Sequence, residues 1–204
     1  MDFRCHSHRF GLELLNQVYP VIEKEIFDVI GSISDEDIIQ FHEENNGTGK
    51  SISKTLNSLL KAGFEDSGWE AESPIFQDAE YTDATEKRWR LDFAKIPVSM
   101  EVAFNHAEAM AWNLLKPVLA SELNHVEKAI QTEIGVLILA TQDMKNAGGF
   151  DSAVGTYEKA LRYLKPLQSQ ISVPLVLIGL NAPATFRVDV TKLNGKNIGV
   201  IVKF

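Results

Sequence analysis

Cysteine and long apolar runs are scarce in this chain, and each absence excludes a class of protein. A single cysteine, Cys5, occurs in 204 residues, so the chain cannot form an intramolecular disulfide. The most hydrophobic run, 173–180, has only the length of a β-strand, whereas a membrane-spanning helix needs about 18 apolar residues. The N-terminus also lacks the basic segment and apolar run of a secretory signal. We therefore expect a cytoplasmic protein that does not span a membrane.

An excess of basic residues is also missing. The chain has 20 Lys and Arg against 28 Asp and Glu, which gives a formal net charge of −8. Affinity for a phosphate backbone comes largely from clustered Lys and Arg, so this balance counts against a nucleic-acid binder. A nuclease nevertheless gathers carboxylates around metal ions and needs positive charge only along the cleft that meets the nucleic acid. The overall charge therefore does not exclude one.

The length and the hydrophobic content of 45% suit one domain with a single core. We expect this domain to span 1–204, with a mainly helical part at 1–68 and an α/β core with a β-rich tail at 69–204. Apolar residues at intervals of three and four predict the N-terminal helices. These helices cover 10–30, with a kink or break at Pro20, 35–41, capped by Ser34, and 53–64.

The polar segment 42–50 between two of these helices is predicted to be a loop. Its last residues, with Ser51, read NGTGKS and resemble a phosphate-binding loop. The first glycine of that motif would fall at Glu44, and no strand precedes it. We therefore predict no nucleotide cofactor.

The second half of the chain alternates β-prone and helical segments. The predicted strands are 89–96 and 98–104, separated at Pro97, then the continuous apolar runs 134–140 and 174–180, and a β-rich tail at 186–204 with a hairpin turn at Asn194 and Gly195. The predicted helices are 107–130 and 152–164. Together these elements indicate an α/β fold, with a mixed central β-sheet flanked by helices.

Two carboxylates lie in the central pair of predicted strands. Asp92 is in the first strand, and Glu101 is in the second, on the same side as Ala103. A bend near Pro97 could bring the two carboxylates together, and converging carboxylates suit Mg²⁺, which prefers oxygen ligands. On spacing alone, ordinary solvated or salt-bridged side chains are the simpler interpretation, because Asp and Glu nine residues apart are common.

The sequence around the pair strengthens the metal hypothesis. Residues 92–104, DFAKIPVSMEVAF, resemble the catalytic segment of BglII/BstYI-type restriction endonucleases, with the shared pattern D-F-x-K-x-x-V-x-x-E-V-x-F. The resemblance continues in matching order at Ser7, His8, Gly11, Leu12 and Glu13, at Gly68 and Trp69, and at 152–161 and 174–179.

This resemblance implies a restriction-endonuclease-like core of the PD-(D/E)xK type. It also implies a homodimer that hydrolyses both strands of double-stranded DNA at a short palindrome related to GATC. Asp92 and Glu101 would be catalytic residues that bind Mg²⁺, with Mn²⁺ as a substitute ion.

The chain departs from the family at the third motif position, where Ala103 replaces the usual Lys, Gln or Glu. Three explanations are open: another residue has taken the role, the substitution inactivates the enzyme, or the protein is a relative that binds DNA without cleaving it. Candidate substitutes near in sequence are Glu80, Glu86, Lys95 and His106.

His106 follows the second strand and is a secondary catalytic candidate, although a cap or an exposed helix start is an equal alternative. The resemblance also places DNA-recognition residues near 145–156, where amides and hydroxyls suit contacts to base edges. We select Asn146, Ser152 and Thr156 as DNA-binding candidates. The alternative is a helix-capping turn with Asp151 or Ser152 as the cap.

Overall fold

A computed structural model describes residues 1–46, 49–82, 87–122, 125–193 and 195–204. The strands of this part are β1 (Phe3–His8), β2 (Glu70–Pro74), β3 (Arg90–Lys95), β4 (Val98–Val102), β5 (Ile134–Ala140), β6 (Leu175–Leu180), β7 (Phe186–Leu193) and β8 (Lys196–Lys203). The helices are α1 (Gly11–Val18), α2 (Pro20–Ser32), α3 (Asp35–Asn46), α4 (Ser53–Asp66), α5 (Ala79–Thr82), α6 (Met110–Ser121), α7 (Gln142–Ala147) and α8 (Tyr157–Leu167). None of the helices in the described ranges is long and apolar enough to cross a membrane.

Six strands form a mixed central sheet in the order β1-β6-β5-β4-β3-β2. The strands β4, β5 and β6 are parallel to one another, and the other three pair antiparallel. The predicted mixed α/β architecture is therefore confirmed. The carboxyl ends of the three parallel strands share one edge of the sheet, which is where α/β proteins usually bind ligands.

Both faces of the sheet are covered, because side chains alternate along each strand. On β5, Val136 and Ile138 pack in a cluster with residues of α1 to α4. Leu137 and Leu139 of the same strand pack in a second cluster with residues of α6 and α8. This burial on both faces explains why β5 and β6 are continuous apolar runs, as the sequence predicts.

The N-terminal helices agree with the prediction at Pro20 but not at the C-terminal end of α3. Pro20 divides the first predicted helix, as expected, by occupying the first position of α2. Helix α3 continues to Asn46, so the predicted loop is wrong over 42–46. The reason is tertiary packing: His42 is buried, and its Nδ1 lies 3.1 Å from Thr55 Oγ1 on α4. Residues 47–48 of that predicted loop lie outside the described residues.

The C-terminal helices are shorter than the sequence predicts. The segment predicted as helix 107–130 is a 3-10 turn followed by α6, which ends at Ser121. The predicted helix 152–164 begins only at Tyr157, because Thr156 caps α8. Helix α7 was not predicted; it is capped by Thr141, whose Oγ1 accepts a hydrogen bond of 3.2 Å from the Met144 N–H.

The tail forms the predicted antiparallel hairpin of β7 and β8 as a separate two-stranded sheet. Gly195 adopts a left-handed φ of 79° in the turn, while Asn194 lies outside the described residues. Phe186 and Val188 of β7 are buried in the cluster beneath α1 to α4. The hairpin is therefore packed onto the core of the central sheet.

Candidate active site

The β3–β4 hairpin determines which side chains meet at the candidate site. Lys95 pairs with Val98 across the turn, and Phe93 pairs with Met100. Each residue before the turn thus lies opposite the residue equally far after it. This register places Asp92 opposite Glu101 on one face of the hairpin. The spacing of nine residues brings the two carboxylates together because the turn lies midway between them.

Hydrogen bonds to the main chain hold both carboxylates in place. The Val102 N–H donates to Asp92 Oδ2 at 2.7 Å, and the Asp92 N–H donates to Glu101 Oε1 at 3.4 Å. The sequence prediction brought together these same two residues, and the structure gives their arrangement: each carboxylate contacts the strand of the other.

Burial disfavours the ionised form of both carboxyl groups. Glu101 is 2% exposed, and burial, followed by the charge of Asp92, raises its pKa from 4.5 to about 8. Burial also raises the pKa of Asp92. A cation between the two groups would favour their ionised forms.

Lys116 is a buried cation that contacts the pair. Its Nζ lies 2.7 Å from Glu101 Oε2, and the side chains of Lys116 and Glu101 are 10% and 3% exposed. Lys116 lies on α6, which covers this face of the sheet. Lys116 was not predicted from the sequence, although its spacing of four residues from the apolar Trp112 and Ala120 was a signal that this side chain faces the interior.

An open cavity of about 180 Å³ lies beside the carboxylates. It is lined by Asn57, Lys61, Ala71, Glu72, Asp92, Phe93 and Val102. Glu72 adopts a left-handed φ of 52°, which is rare outside glycine, and the Arg90 guanidinium donates to its carbonyl oxygen at 2.9 Å. The charge of Glu72 contributes to the raised pKa of Asp92. No sequence pattern indicates Glu72, because its position depends on this local backbone conformation.

The two carboxylates fit a Mg²⁺ ion. Among the described residues no group of three or more His, Cys, Asp or Glu side chains is arranged to hold a metal. Mg²⁺ commonly binds to one or two carboxylates and takes its other ligands from water and substrate phosphate. A buried pair of oxygen donors beside an open cavity meets that requirement, and it leaves room for a substrate.

Ala103 and two of its proposed substitutes, Lys95 and Glu80, lie in different surroundings. Ala103 is buried and packs in the cluster of α6 and α8. Lys95 donates to Glu25 Oε2 at 2.7 Å and to the Ser67 carbonyl at 2.8 Å, so its ammonium is engaged on the opposite face of β3. Glu80 is exposed on α5, and Glu86 lies outside the described residues.

His106 lies beside the loop that follows α7. It is exposed, its backbone forms an isolated bridge with Val154, and its charge contributes to the lowered pKa of Asp151. The structure therefore brings Asp92 and Glu101 together and places His106 near Asp151 instead. A catalytic role for His106 stays a prediction.

Two of the three DNA-binding candidates line one open depression of about 480 Å³. Its lining residues are Gln142, Lys145, Asn146, Gly149, Phe150, Ser152, Val188 and Val190. Asn146 and Ser152 are exposed there, and the Lys145 ammonium donates to the Ser152 carbonyl at 2.7 Å, which fixes the loop. The depression adjoins α7, directly after the carboxyl end of β5.

Thr156, the third candidate, is buried and caps α8. Its Oγ1 accepts a hydrogen bond of 3.4 Å from the Lys159 N–H. The alternative that Asp151 or Ser152 caps this helix is therefore wrong. Asp151 instead binds the Lys50 ammonium at 3.0 Å and the Ala153 N–H at 3.0 Å, and these contacts lower its pKa to about 2.

The fold and the paired carboxylates define a restriction-endonuclease-like protein. The family described as "Restriction endonuclease BglII/BglIII" matches residues 3–180, and the chain belongs to this family. A crystal structure of BglII complexed with a DNA 16-mer is similar, with a TM-score of 0.68, 17% identity and 100% of both chains covered. The crystal structure of free BglII has a TM-score of 0.59 at 17% identity and the same coverage. At this identity the likeness shows the fold alone, and comparison with curated protein sequences found no match.

Proposed function

We propose that the protein is a Mg²⁺-dependent endonuclease that hydrolyses both strands of double-stranded DNA at a short palindrome related to GATC. The observation that carries this proposal is the convergence of Asp92 and Glu101 across the β3–β4 hairpin. Membership of a restriction endonuclease family gives this arrangement its reaction class. The related crystal structure that contains a DNA 16-mer supports a DNA substrate.

In this proposal Asp92 and Glu101 hold the metal, and Mn²⁺ can take its place. The bound ion supplies Lewis-acid stabilisation of the charge that develops on the phosphate. The chain contributes the orientation of the two carboxylates. The Val102 N–H fixes one oxygen of Asp92, and the Asp92 N–H lies against one oxygen of Glu101. The open cavity beside Asp92 is where the phosphodiester would enter.

DNA recognition is assigned to the depression that contains Asn146 and Ser152. Both side chains are exposed, and amide and hydroxyl groups can donate to and accept from base edges. The depression follows the carboxyl end of β5, and Glu101 lies near the carboxyl end of the neighbouring parallel strand β4, so one duplex could contact both. We propose that Thr156 supports this contact indirectly, because it fixes the start of α8 behind the loop.

A relative that binds DNA without cleaving it is the second candidate, and Ala103 favours it. The expected side chain at this position is absent, and Ala103 packs in an apolar cluster. Loss of one group that stabilises charge in a transition state commonly lowers the rate by about 10²- to 10³-fold.

The test is incubation of the purified protein with unmethylated phage DNA in Mg²⁺, in Mn²⁺ and in EDTA. We expect discrete bands with either metal and intact DNA in EDTA. Asp92→Asn should lose cleavage, whereas Asp28→Asn, which changes an exposed carboxylate on α2, should cut like the parent. Intact DNA in every condition, together with retained DNA binding, would favour the binding-only candidate. Cleavage by Asp92→Asn at the parent rate would refute the assignment of the site.

A further inference from the structure

We propose that Lys116 is the positioning residue of this site and performs, from helix α6, the task that the alanine at position 103 cannot perform. The inference rests on the proposed function and deepens it. Lys116 lies close to Glu101 in space but fifteen residues away in sequence. Lys116 could therefore replace the side chain that the family carries at the third motif position and that Ala103 lacks.

The ion pair itself points to function. Lys116 and Glu101 are both nearly fully buried, and their charged atoms are 2.7 Å apart. Removing two charges from water is costly, and apolar residues of similar volume often serve stability as well or better. A buried ammonium in the middle of α6, among mostly apolar residues, is therefore weak evidence for stability. Because the Lys116 ammonium contacts Glu101, a proposed metal ligand, its role is better explained by the function of the site.

The packing around Ala103 explains why the cation comes from a helix. Ala103 directly follows β4, two residues after Glu101, and belongs to the cluster that includes Met110 and Leu114 of α6. A long charged side chain at 103 would have to enter this apolar cluster. Lys116, which lies on the same helix, instead reaches Glu101 directly.

The contacts of Glu101 show how Lys116 would act. Glu101 Oε2 accepts from the Lys116 ammonium, while Oε1 lies 3.4 Å from the Asp92 N–H. The two oxygens therefore have different partners, and the carboxylate plane is fixed between the helix and the strand. With a metal bound to Asp92 and Glu101, the same ammonium would add a fixed positive charge to the site, which is the kind of preorganised stabilisation that favours a transition state with growing negative charge.

Other nearby cations are less suited to this task. Lys61 lines the cavity, but it lies on the solvent side, where it pairs with Glu65 at 3.7 Å. Lys95 is engaged with Glu25 and Ser67. Within the described ranges, the ion pair that reaches the two carboxylates is the one made by Lys116.

The experiment compares Lys116→Met, which removes the charge, with Lys116→Arg, which restores a cation. Lys95→Gln is the matched control, because it breaks an ion pair of the same 2.7 Å length on the same hairpin. Three quantities are measured for each variant: the single-turnover rate of DNA cleavage in Mg²⁺, the affinity for Mn²⁺ without DNA, and the melting temperature. Lys116→Gln replaces the methionine variant if the latter does not fold.

We expect Lys116→Met to lower the cleavage rate by about 10²- to 10³-fold while the Mn²⁺ affinity and the fold are kept. Lys116→Arg should cleave at least about ten times faster than Lys116→Met, because it restores a cation. A merely structural role for Lys116 would not predict this recovery. Lys95→Gln should cut like the parent.

Two results would overturn the inference while leaving the proposed function intact. One is cleavage by Lys116→Met within about a factor of ten of the parent. The other is a parallel loss of Mn²⁺ affinity, melting temperature and rate, which would give Lys116 a structural role. Failure of the parent itself to cut DNA with Mg²⁺ or Mn²⁺ would refute the proposed function, and the inference with it.

Discussion

Burial and the charge of Asp92 raise the pKa of Glu101 to about 8, so the folded, metal-free protein releases this proton at a higher pH than the unfolded chain does. The unfolded chain loses that proton near the ordinary value of 4.5. Between these two pKa values the folded state binds one proton more than the unfolded state. The free energy of unfolding must therefore fall as the pH rises through this window, and level off above it.

We expect this dependence to disappear in Glu101→Gln, since the amide has no proton to lose. A single group contributes a slope of at most about 1.4 kcal/mol per pH unit. The measurement is urea denaturation in EDTA at several pH values between about 5 and 8. The slope of the free energy of unfolding against pH is then compared between the parent and Glu101→Gln. The variant also changes the contact with the Lys116 ammonium, which alters the absolute stability, so the slope is the informative quantity.

Glu80→Gln is the control for this experiment, because Glu80 is an exposed carboxylate on α5. It should retain the slope of the parent. Parallel stability curves for the parent and Glu101→Gln across the whole range would show that Glu101 is not the group that holds the proton.

The residues of the candidate site could be predicted from the sequence only in part. Asp92 and Glu101 could be paired, because a turn at Pro97 lies midway between them. Lys116 could not be assigned, since its contact depends on how α6 crosses the sheet. The position of Glu72 depends on a left-handed backbone conformation that no sequence pattern indicates. Local patterns thus identify residues of one hairpin, whereas contacts between distant elements require the tertiary structure.

At the level of elements, the contact between α6 and β5 sets the position of Lys116. Gly135 is the second residue of β5 and lies directly against Pro117, the residue after Lys116. A methyl group on Gly135 would lie 2.4 Å from the Pro117 Cβ, which no real contact permits. The missing side chain of Gly135 is therefore what allows the helix to approach the sheet so closely.

We expect Gly135→Ala to push α6 away from the sheet. The overpacked methyl group should lower the free energy of unfolding by roughly 1–3 kcal/mol. It should also lower the cleavage rate beyond what the loss of folded protein explains, because Lys116 would move away from Glu101. Denaturation and single-turnover cleavage at a temperature where the variant is folded measure the two effects.

The matched control for this substitution is Gly31→Ala. Gly31 lies near the end of α2, and a methyl group there would meet nothing within 4 Å. This variant should be neutral or more stable by a few tenths of a kcal/mol to about 1 kcal/mol. If Gly135→Ala behaves like Gly31→Ala, the close approach of α6 does not position Lys116.

Elements could be predicted from the sequence where burial dominates. The apolar runs gave β5 and β6 to within one residue, since strands buried on both faces must be continuous. The start of α8 could not be predicted, because several residues before it could serve as the cap and Thr156 is the one that does. Helix α3 extends past its predicted end through packing of His42 on α4.

At the level of the whole molecule, the negative charge is distributed unevenly around the functional edge. Carboxylates gather at the β3–β4 hairpin, whereas Lys145 and Lys50 flank the depression that contains Asn146 and Ser152. The hairpin of β7 and β8 lies beyond the family match at 3–180, yet its Val188 and Val190 line that depression. The part of the chain outside the family match thus contributes to the surface proposed to bind DNA.

One chain presents one pair of the carboxylates proposed to be catalytic, so a homodimer with a twofold axis would place one pair at each strand of a palindrome. We expect two chains per duplex in sedimentation experiments with catalytically silent Asp92→Asn. On a plasmid with one site, excess parent protein should give linear DNA without an accumulated nicked circle.

A mixed dimer of one parent chain and one Asp92→Asn chain, purified with two different tags, gives the sharpest test of this assembly. It should nick the plasmid at the parent rate and stop there, because only one of its two sites can act. Linear DNA as the main product of the mixed dimer, or one chain per duplex in sedimentation, would mean that a single site cuts both strands in turn. The homodimer proposal would then fail, while the assignment of Asp92 and Glu101 would stand.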